Sequence, residues 1–143
     1  MSMVQTTIER EIVIHASAET VWGIVSEPGW WVNSGTLVDH RIEDLGEGAH
    51  QIHDPDHGEF RIITVELNPP RYAAFRWQPT GPDDPATLTE FWIDDRSEGG
   101  VTLRVVESGF DDLPAEKLHA FVKDNSQGWE FELAVARTAA EAG

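Results

Sequence analysis

The chain of 143 residues has the length of one folded domain, and it contains no cysteine, so disulfides, thiolate nucleophiles and thiolate metal sites are excluded. Its 26 acidic and 10 basic residues give a formal net charge of −16. Such a surface repels phosphate backbones and anionic lipids, so neither nucleic acid nor a membrane is expected as a partner. No apolar run approaches the ~18 residues of a membrane span and no signal sequence is recognisable, which predicts a cytoplasmic protein.

The first part of the sequence predicts one strand followed by two short helices. Residues 8–14 place apolar side chains at positions 8, 12 and 14, which fits a half-buried strand. Ser17 can cap a helix over residues 18–25, which the Pro28-Gly29 pair ends. A second short turn of helix is predicted at residues 30–32.

Strand patterns then alternate with turn-forming segments. The six strands predicted here span residues 36–44, 49–53, 59–67, 71–78, 86–94 and 101–108. Together with the first strand they make seven. No internal repeat, low-complexity tract or linker interrupts them, so we expect a single domain over residues 1–143, with one antiparallel sheet joined by short loops.

A long amphipathic helix is predicted after Pro114. Its apolar stripe consists of Leu118, Phe121, Val122, Trp129, Leu133 and Ala136. Because only the sheet can cover this stripe, the helix must pack on one sheet face. Asn125, Gly128 and Glu132 interrupt the stripe, and a glycine inside a helix costs about 1 kcal/mol relative to alanine. We expect Gly128 to permit tight packing of helix on sheet; space beside it for another molecule is the alternative.

The order of these elements and several short motifs resemble the START and Bet v 1-like superfamily (SRPBCC), and more narrowly the single-domain bacterial relatives of the heat-shock-protein ATPase activator. The motifs are Ala18–Trp22, Leu45–Ala49, Pro69–Trp77, Gly100–Leu103, Ser108–Phe110 and Gly128–Leu133. The resemblance implies an α+β helix-grip fold, in which a curved antiparallel sheet of about six to seven strands wraps around the long C-terminal helix. It also implies two short helices after the first strand, and an elongated cavity between the sheet and the last helix.

The sequence departs from the family pattern in places. Gly48-Ala49 stands where the family often has a double glycine, and Ala136 where it often has a larger aliphatic residue. The extra N-terminal domain that contributes to chaperone contact in the eukaryotic activator has no counterpart in this sequence. Contact with a chaperone is therefore not expected.

Glu107 is the main candidate for chemistry. If Leu103 and Val105 face the cavity, Glu107 faces it as well, because strand side chains alternate. A carboxylate at the end of an apolar row is costly to bury in its ionised form unless it is paired. This favours a ligand anchor or a general acid/base. The alternative is that the strand ends earlier and that Glu107 lies in solvent or pairs with an arginine.

Aromatic residues form the second part of the predicted site. The chain has six tryptophans, and an aromatic lining suits a planar or apolar ligand. For any single tryptophan, ordinary core is the favoured interpretation. Strand phase turns Trp77 and Phe91 inward and Trp92 outward, and Trp30 and Trp31 are expected near one opening. The ligand-binding residues predicted in this way are Trp30, Trp31, Trp77, Phe91, Leu103, Val105, Glu107, Phe121, Asn125 and Trp129.

Metal and nucleotide chemistry receive little support. His50, His53 and His57 lie with Asp54 and Asp56 in one hairpin, but their spacing matches no recognised zinc pattern. A solvated Asp-Pro-Asp-His-Gly turn is the expectation, with no metal site and no cofactor. No glycine-rich phosphate loop and no nucleophile elbow is present.

Three functions are compatible with this pattern. The leading hypothesis is a monomer or homodimer that binds a small hydrophobic or aromatic molecule between sheet and helix. An enzyme resembling the cyclases and dehydratases of the superfamily, with Glu107 moving protons, is the first alternative. A co-chaperone-like protein-interaction module, acting through the outer face, is the second.

Overall fold

The computed structural model describes residues 7–78, 86–110 and 114–142, and of residues 115 and 116 only the backbone. The elements in chain order are β1 (Ile8–Ile14), α1 (Ala18–Val25), β2 (Arg41–Gly46), β3 (Ala49–Asp54), β4 (Gly58–Asn68), β5 (Tyr72–Trp77), β6 (Leu88–Asp95), β7 (Val101–Ser108) and α2 (Ala115–Ala142). This confirms the α+β fold and the seven predicted strands, of which β2 begins later than expected. None of the helices described is long and apolar enough to cross a membrane.

The seven strands form one antiparallel sheet in the order β1-β7-β6-β5-β4-β3-β2. Strands β2 to β7 are therefore neighbours in sequence and in space, and β1 joins the sheet beside β7, with Ile8 opposite Glu107. Register shifts in β2 and β4 mark bulges, which bend the strands. Helix α2 packs against β1 and α1.

The core lies between one sheet face and the helices. The strand residues buried there have the predicted inward phase: Ala73, Phe75, Phe91, Ile93, Leu103 and Val105. Five of the six residues of the predicted α2 stripe are buried, and Phe121 is half-buried; the five are Leu118, Val122, Trp129, Leu133 and Ala136. Trp92 lies on the outer face as predicted, where the guanidinium carbon of Arg104 is 4.4 Å from its ring centroid. Periodicity therefore assigned the two faces of these strands and the apolar face of α2 correctly.

The segment after β1 contains one helix, not two. Ser17 caps α1 as predicted, since its hydroxyl accepts a hydrogen bond from the Thr20 amide at 3.1 Å. The second short helix expected near Trp30 is instead a pair of tight turns, in which the amides of Trp30 and Val32 bond to carbonyls three residues earlier. Gly29 explains the difference, because its φ of +80° is a left-handed conformation that interrupts a right-handed helix.

Replacing Leu133 by alanine should destabilise the fold. Leu133 is 2% exposed beneath α2, so truncation removes buried apolar surface and leaves a cavity that costs roughly 2–5 kcal/mol of unfolding free energy. Urea unfolding followed by circular dichroism measures this loss.

The matched control is Phe131→Ala on the same helix. Phe131 is 73% exposed, so its replacement should change stability by no more than about 0.5 kcal/mol. A larger loss for Phe131→Ala than for Leu133→Ala would contradict this orientation of α2.

Candidate functional site

A pocket of about 600 Å³ lies between α2 and the sheet. The turn after α1, the β3–β4 hairpin, strands β4, β5 and β7, and the inner face of α2 contribute to its walls. The described residues that line it are Trp31, Val32, His57, Glu59, Phe60, Trp77, Thr87, Glu107, Phe121, Asp124, Asn125, Gly128, Trp129 and Glu132. Six of these residues have apolar or aromatic side chains and seven carry polar or charged groups, so the lining is amphipathic.

The pocket exists where the apolar stripe of α2 is interrupted. Asn125, Gly128 and Glu132, the three residues that break the stripe, all line the pocket. Apart from its two chain neighbours and the backbone of α2 itself, no described atom lies within 4 Å of the position that a Cβ atom at Gly128 would occupy. The expectation of tight packing at Gly128 is therefore wrong, because this side of the helix borders open space. The interruptions leave α2 covering the sheet only in part.

Aromatic rings form two walls of the pocket. The rings of Phe60 and Trp77 are stacked, with centroids 5.0 Å apart and an angle of 10° between their planes. Trp31 packs against Trp129 with a centroid distance of 5.9 Å. Each of these four residues comes from a different element or turn, so the walls depend on the complete fold. Flat ring faces of this kind suit a planar or apolar molecule.

Six of the ten predicted ligand-binding residues line the pocket: Trp31, Trp77, Glu107, Phe121, Asn125 and Trp129. The other four, Trp30, Phe91, Leu103 and Val105, lie in the buried core. Trp30 supports the wall from behind, since its ring centroid is 6.5 Å from that of Trp129. The two neighbouring tryptophans therefore differ in position: Trp30 belongs to the core and Trp31 to the pocket.

Glu107 faces inward from β7 and is 7% exposed. Its Oε1 atom accepts hydrogen bonds from Trp129 Nε1 at 2.9 Å and from Asn125 Nδ2 at 3.4 Å. Burial raises the pKa of Glu107, and hydrogen bonds from Trp129, Thr87 and Asn125 oppose the rise. The inward orientation is confirmed. The alternative that placed this carboxyl group in solvent or beside an arginine is wrong, because its described partners are neutral.

A hydrogen-bonded cluster around Asp54 was missed by the sequence reasoning. Asp54 is only 6% exposed, so the expected solvated turn is wrong at this residue. Its carboxylate is bonded to His40 Nε2 at 2.7 Å and to His57 Nδ1 at 2.8 Å, and it accepts from the backbone amides of Asp56 and His57. Burial alone would raise the pKa of Asp54, but the hydrogen bonds from His57, Asp56 and His40 outweigh it and lower the pKa to about 2.

This cluster fixes the orientation of His57 at the pocket. Since the Asp54 carboxylate can only accept, His57 must hold its proton on Nδ1, and in the neutral ring Nε2 is then an acceptor. Strand phase gave an available signal, because Asp54 lies two residues after the buried Ile52 on β3. An aspartate in that phase must be buried or end the strand.

Glu132 on α2 is the second carboxyl group, after Asp54, that sequence reasoning did not assign to the site. Its Oε1 atom accepts a hydrogen bond from Asn33 Nδ2 at 2.8 Å, which ties the helix to the turn that carries the tryptophans. Burial raises the pKa of Glu132, and the interactions with Asn33 and His57 oppose this effect. Asn33 also donates to the Trp30 carbonyl and accepts from the Val38 amide. The sequence signal was the polar interruption of the α2 stripe.

Several solved bacterial structures share this fold. Protein MLL2253 from Mesorhizobium loti superposes with a TM-score of 0.73 at 16% identity, covering 95% of this chain and 97% of that one. The Aha1 dimer from Colwellia psychrerythraea has a TM-score of 0.68 at 19% identity, covering 97% and 98%. SA2116 from Staphylococcus aureus, described as a protein of unknown function, gives 0.72 at 16% identity, covering 95% and 93%. No protein-family model and no curated protein matches the sequence. At these identities the likeness shows the fold alone.

Replacement of Glu107 by glutamine should flatten the pH dependence of stability. Because the pKa of Glu107 is raised by folding, the folded state holds this proton more tightly than the unfolded chain does. The associated stability is complete below the usual pKa of 4.5 and is lost as the pH rises through the folded pKa. Glu107→Gln should therefore lose less unfolding free energy than the wild type over this rise, in urea titrations at successive pH values.

Glu11→Gln serves as the control, since Glu11 is exposed on β1. Its stability should follow the wild-type curve. If the Glu107→Gln curve also runs parallel to the wild type, Glu107 does not hold its proton as inferred.

Proposed function

We propose that this chain is a START/Bet v 1-like cytoplasmic protein that binds a small hydrophobic or aromatic molecule between the sheet and α2. The observation that carries the proposal is the pocket itself: aromatic walls surround a single deeply buried carboxyl group, Glu107. Small-molecule sites in proteins are typically concave, apolar and about 300–1,000 Å³ in volume, with few polar groups that orient the ligand. The volume of about 600 Å³ lies within this range.

Trp129 has two roles in this proposal. Its ring forms part of the apolar wall, and its Nε1 atom donates to Glu107 Oε1 at 2.9 Å. A ligand that packs on the ring therefore lies next to the carboxyl group that can bond its polar end. Asn125, which also donates to Glu107, lines the same pocket, and its side-chain amide is a second polar group beside the carboxyl group. This combination supports binding of a molecule with an apolar body and one polar end.

A neutral apolar dye tests the proposal directly. N-phenylnaphthylamine should bind and gain fluorescence as it leaves water, and Trp129→Leu should weaken its binding by roughly tenfold, or about 1.4 kcal/mol. Titration of wild type and variant at equal protein concentration measures both effects. Trp92→Leu is the matched control, because Trp92 lies on the outer sheet face against Arg104.

Equal affinities for the Trp129 and Trp92 variants would place the dye elsewhere. Failure of the folded wild type to bind the dye would also count against the proposed site.

An enzyme in the same pocket is the second candidate function. The favouring observation is a pair of proton-carrying groups in different environments: the buried Glu107, and His57 with Nε2 free to accept a proton. A carboxyl group and an imidazole that line one pocket can act as acid and base on one substrate. A co-chaperone-like function rests on the shared fold with the Colwellia Aha1 dimer and on no further observation.

The enzyme candidate predicts exchange of protons next to a carbonyl group. Aromatic ketones incubated with the protein in deuterated water should exchange their α-protons, as followed by proton NMR. Glu107→Gln and His57→Gln should each abolish the catalysed exchange. His53→Gln is the control, because His53 bonds to Glu43 and Glu59 and does not line the pocket. Exchange that persists in both pocket variants would rule out this pair.

A further inference from the structure

We infer that the natural ligand of this pocket is a cation, a planar or apolar molecule that carries a protonated amine. The inference deepens the proposed function and rests on it. It names the chemical class that the charges and rings of the lining select.

The charged groups of the lining are mainly acidic. Glu107, Asp124 and Glu132 lie on β7 and α2 around the pocket. Glu59 also borders it, but its carboxylate is bonded to His53 Nδ1 at 2.9 Å and to Gln51, so it already has partners outside the pocket. No lysine or arginine is among the described lining residues. The parts of the sequence outside the description contain neither residue, so they supply no basic side chain.

His57 is the one described lining residue that can become positive. Its Nδ1 proton is donated to Asp54 Oδ1 at 2.8 Å, and Asp54 is itself bonded to His40. A positive charge on this ring would therefore be matched first by Asp54. Such a charge also favours the ionised form of Glu132 on α2 through space, but no described interaction joins it to Glu107 on β7.

No described hydrogen bond or ion pair joins Glu107 or Glu132 to a cationic side chain, although a charge on His57 acts on Glu132 through space. Trp129 and Asn125 donate to Glu107, and Asn33 donates to Glu132, and all three donors are neutral. A buried carboxylate is stabilised far more by a neighbouring positive charge than by neutral donors. An ammonium group in the pocket would supply that charge to one or both side chains.

The aromatic walls favour the same ligand for a separate reason. The faces of indole and benzene rings carry partial negative charge, so a cation within about 6 Å of a ring face is attracted to it. Trp31, Trp77 and Trp129 all line the pocket, and Trp77 is stacked on Phe60. An aromatic lining alone would accept neutral and cationic molecules alike. Together with unpaired carboxyl groups it discriminates in favour of the cation.

Anionic ligands are disfavoured by the same arrangement. A ligand carboxylate or phosphate beside Glu107 and Glu132 would add a like charge in a half-buried site whose described lining offers no lysine or arginine to pair it. The net charge of −16 also favours the approach of cations from solution over that of anions, because it attracts the former and repels the latter. A neutral ligand that accepts a hydrogen bond from protonated Glu107 is the remaining possibility, and the experiment separates it from a cation.

Three probes with one ring system test the inference: naphthylmethylamine, which is a cation near neutral pH, naphthylmethanol, which is neutral, and naphthoate, which is an anion. We expect the amine to bind about tenfold or more tightly than the alcohol, and naphthoate to bind most weakly, by isothermal titration calorimetry. Glu107→Gln and Glu132→Gln should each reduce the ratio of amine to alcohol affinity several-fold. The affinity for the alcohol should fall less than that for the amine, because glutamine keeps the size and an accepting oxygen and removes only the charge.

The control is Glu11→Gln, which removes one negative charge from the exposed face of β1, outside the pocket. Glu11→Gln should leave the ratio of amine to alcohol affinity at the wild-type value. If this ratio falls as much as in Glu107→Gln, net charge alone attracts the amine and the inference is wrong. If the alcohol binds in the pocket as tightly as the amine, the cation inference is wrong and the proposed binding function survives. If none of the probes binds to the folded protein, both fail.

Discussion

The incomplete coverage of the sheet by α2 is the constraint on which the rest of the structure depends. The helix has one apolar stripe, and its residues Leu118, Trp129 and Leu133 are buried where α2 packs on the sheet and α1. Asn125, Gly128 and Glu132 then remain on the neighbouring part of the same face, where no core side chain fills the space. Core and pocket are therefore two parts of one interface. The helix stabilises the fold with one set of residues and shapes the pocket with the next.

Two buried carboxyl groups in this protein show how local hydrogen-bond donors decide whether burial raises a pKa. Asp54 accepts from two backbone amides and is bonded to two imidazole rings, so its pKa falls to about 2 although the side chain is buried. Glu107 is equally buried but is held by weaker, neutral side-chain donors, and burial prevails in raising its pKa. The first group is fixed as an anion that orients histidines. Glu107 is not fixed as an anion, so the protonation of its carboxyl group can change when a charged or polar group lies beside it.

Sequence reasoning succeeded where a periodic pattern carries the information. Alternation in β7 places Leu103, Val105 and Glu107 on one face, and helical spacing identifies the buried side of α2. It failed where contacts join distant parts of the chain: Asn33 bonds to Glu132 across 99 positions, and His40 reaches Asp54 across 14. The turn that contains Trp30 and Trp31 has no helical or strand periodicity. The sequence therefore could not predict that Trp30 lies in the core and Trp31 in the pocket.

Gly128 shows most clearly why the pattern alone could not reveal the site. Glycine at a helix crossing commonly permits close approach, and from the sequence that interpretation was physically sound. Its meaning depends on what faces it, and here that is the space bounded by Phe121, Asp124 and Trp129 of the same helix and by strands of the sheet. The same fold at 16% identity in MLL2253 fixes the sheet and helix but not these side chains. In this chain the residues that fail to fill the interface therefore decide the size, charge and chemistry of the space between α2 and the sheet.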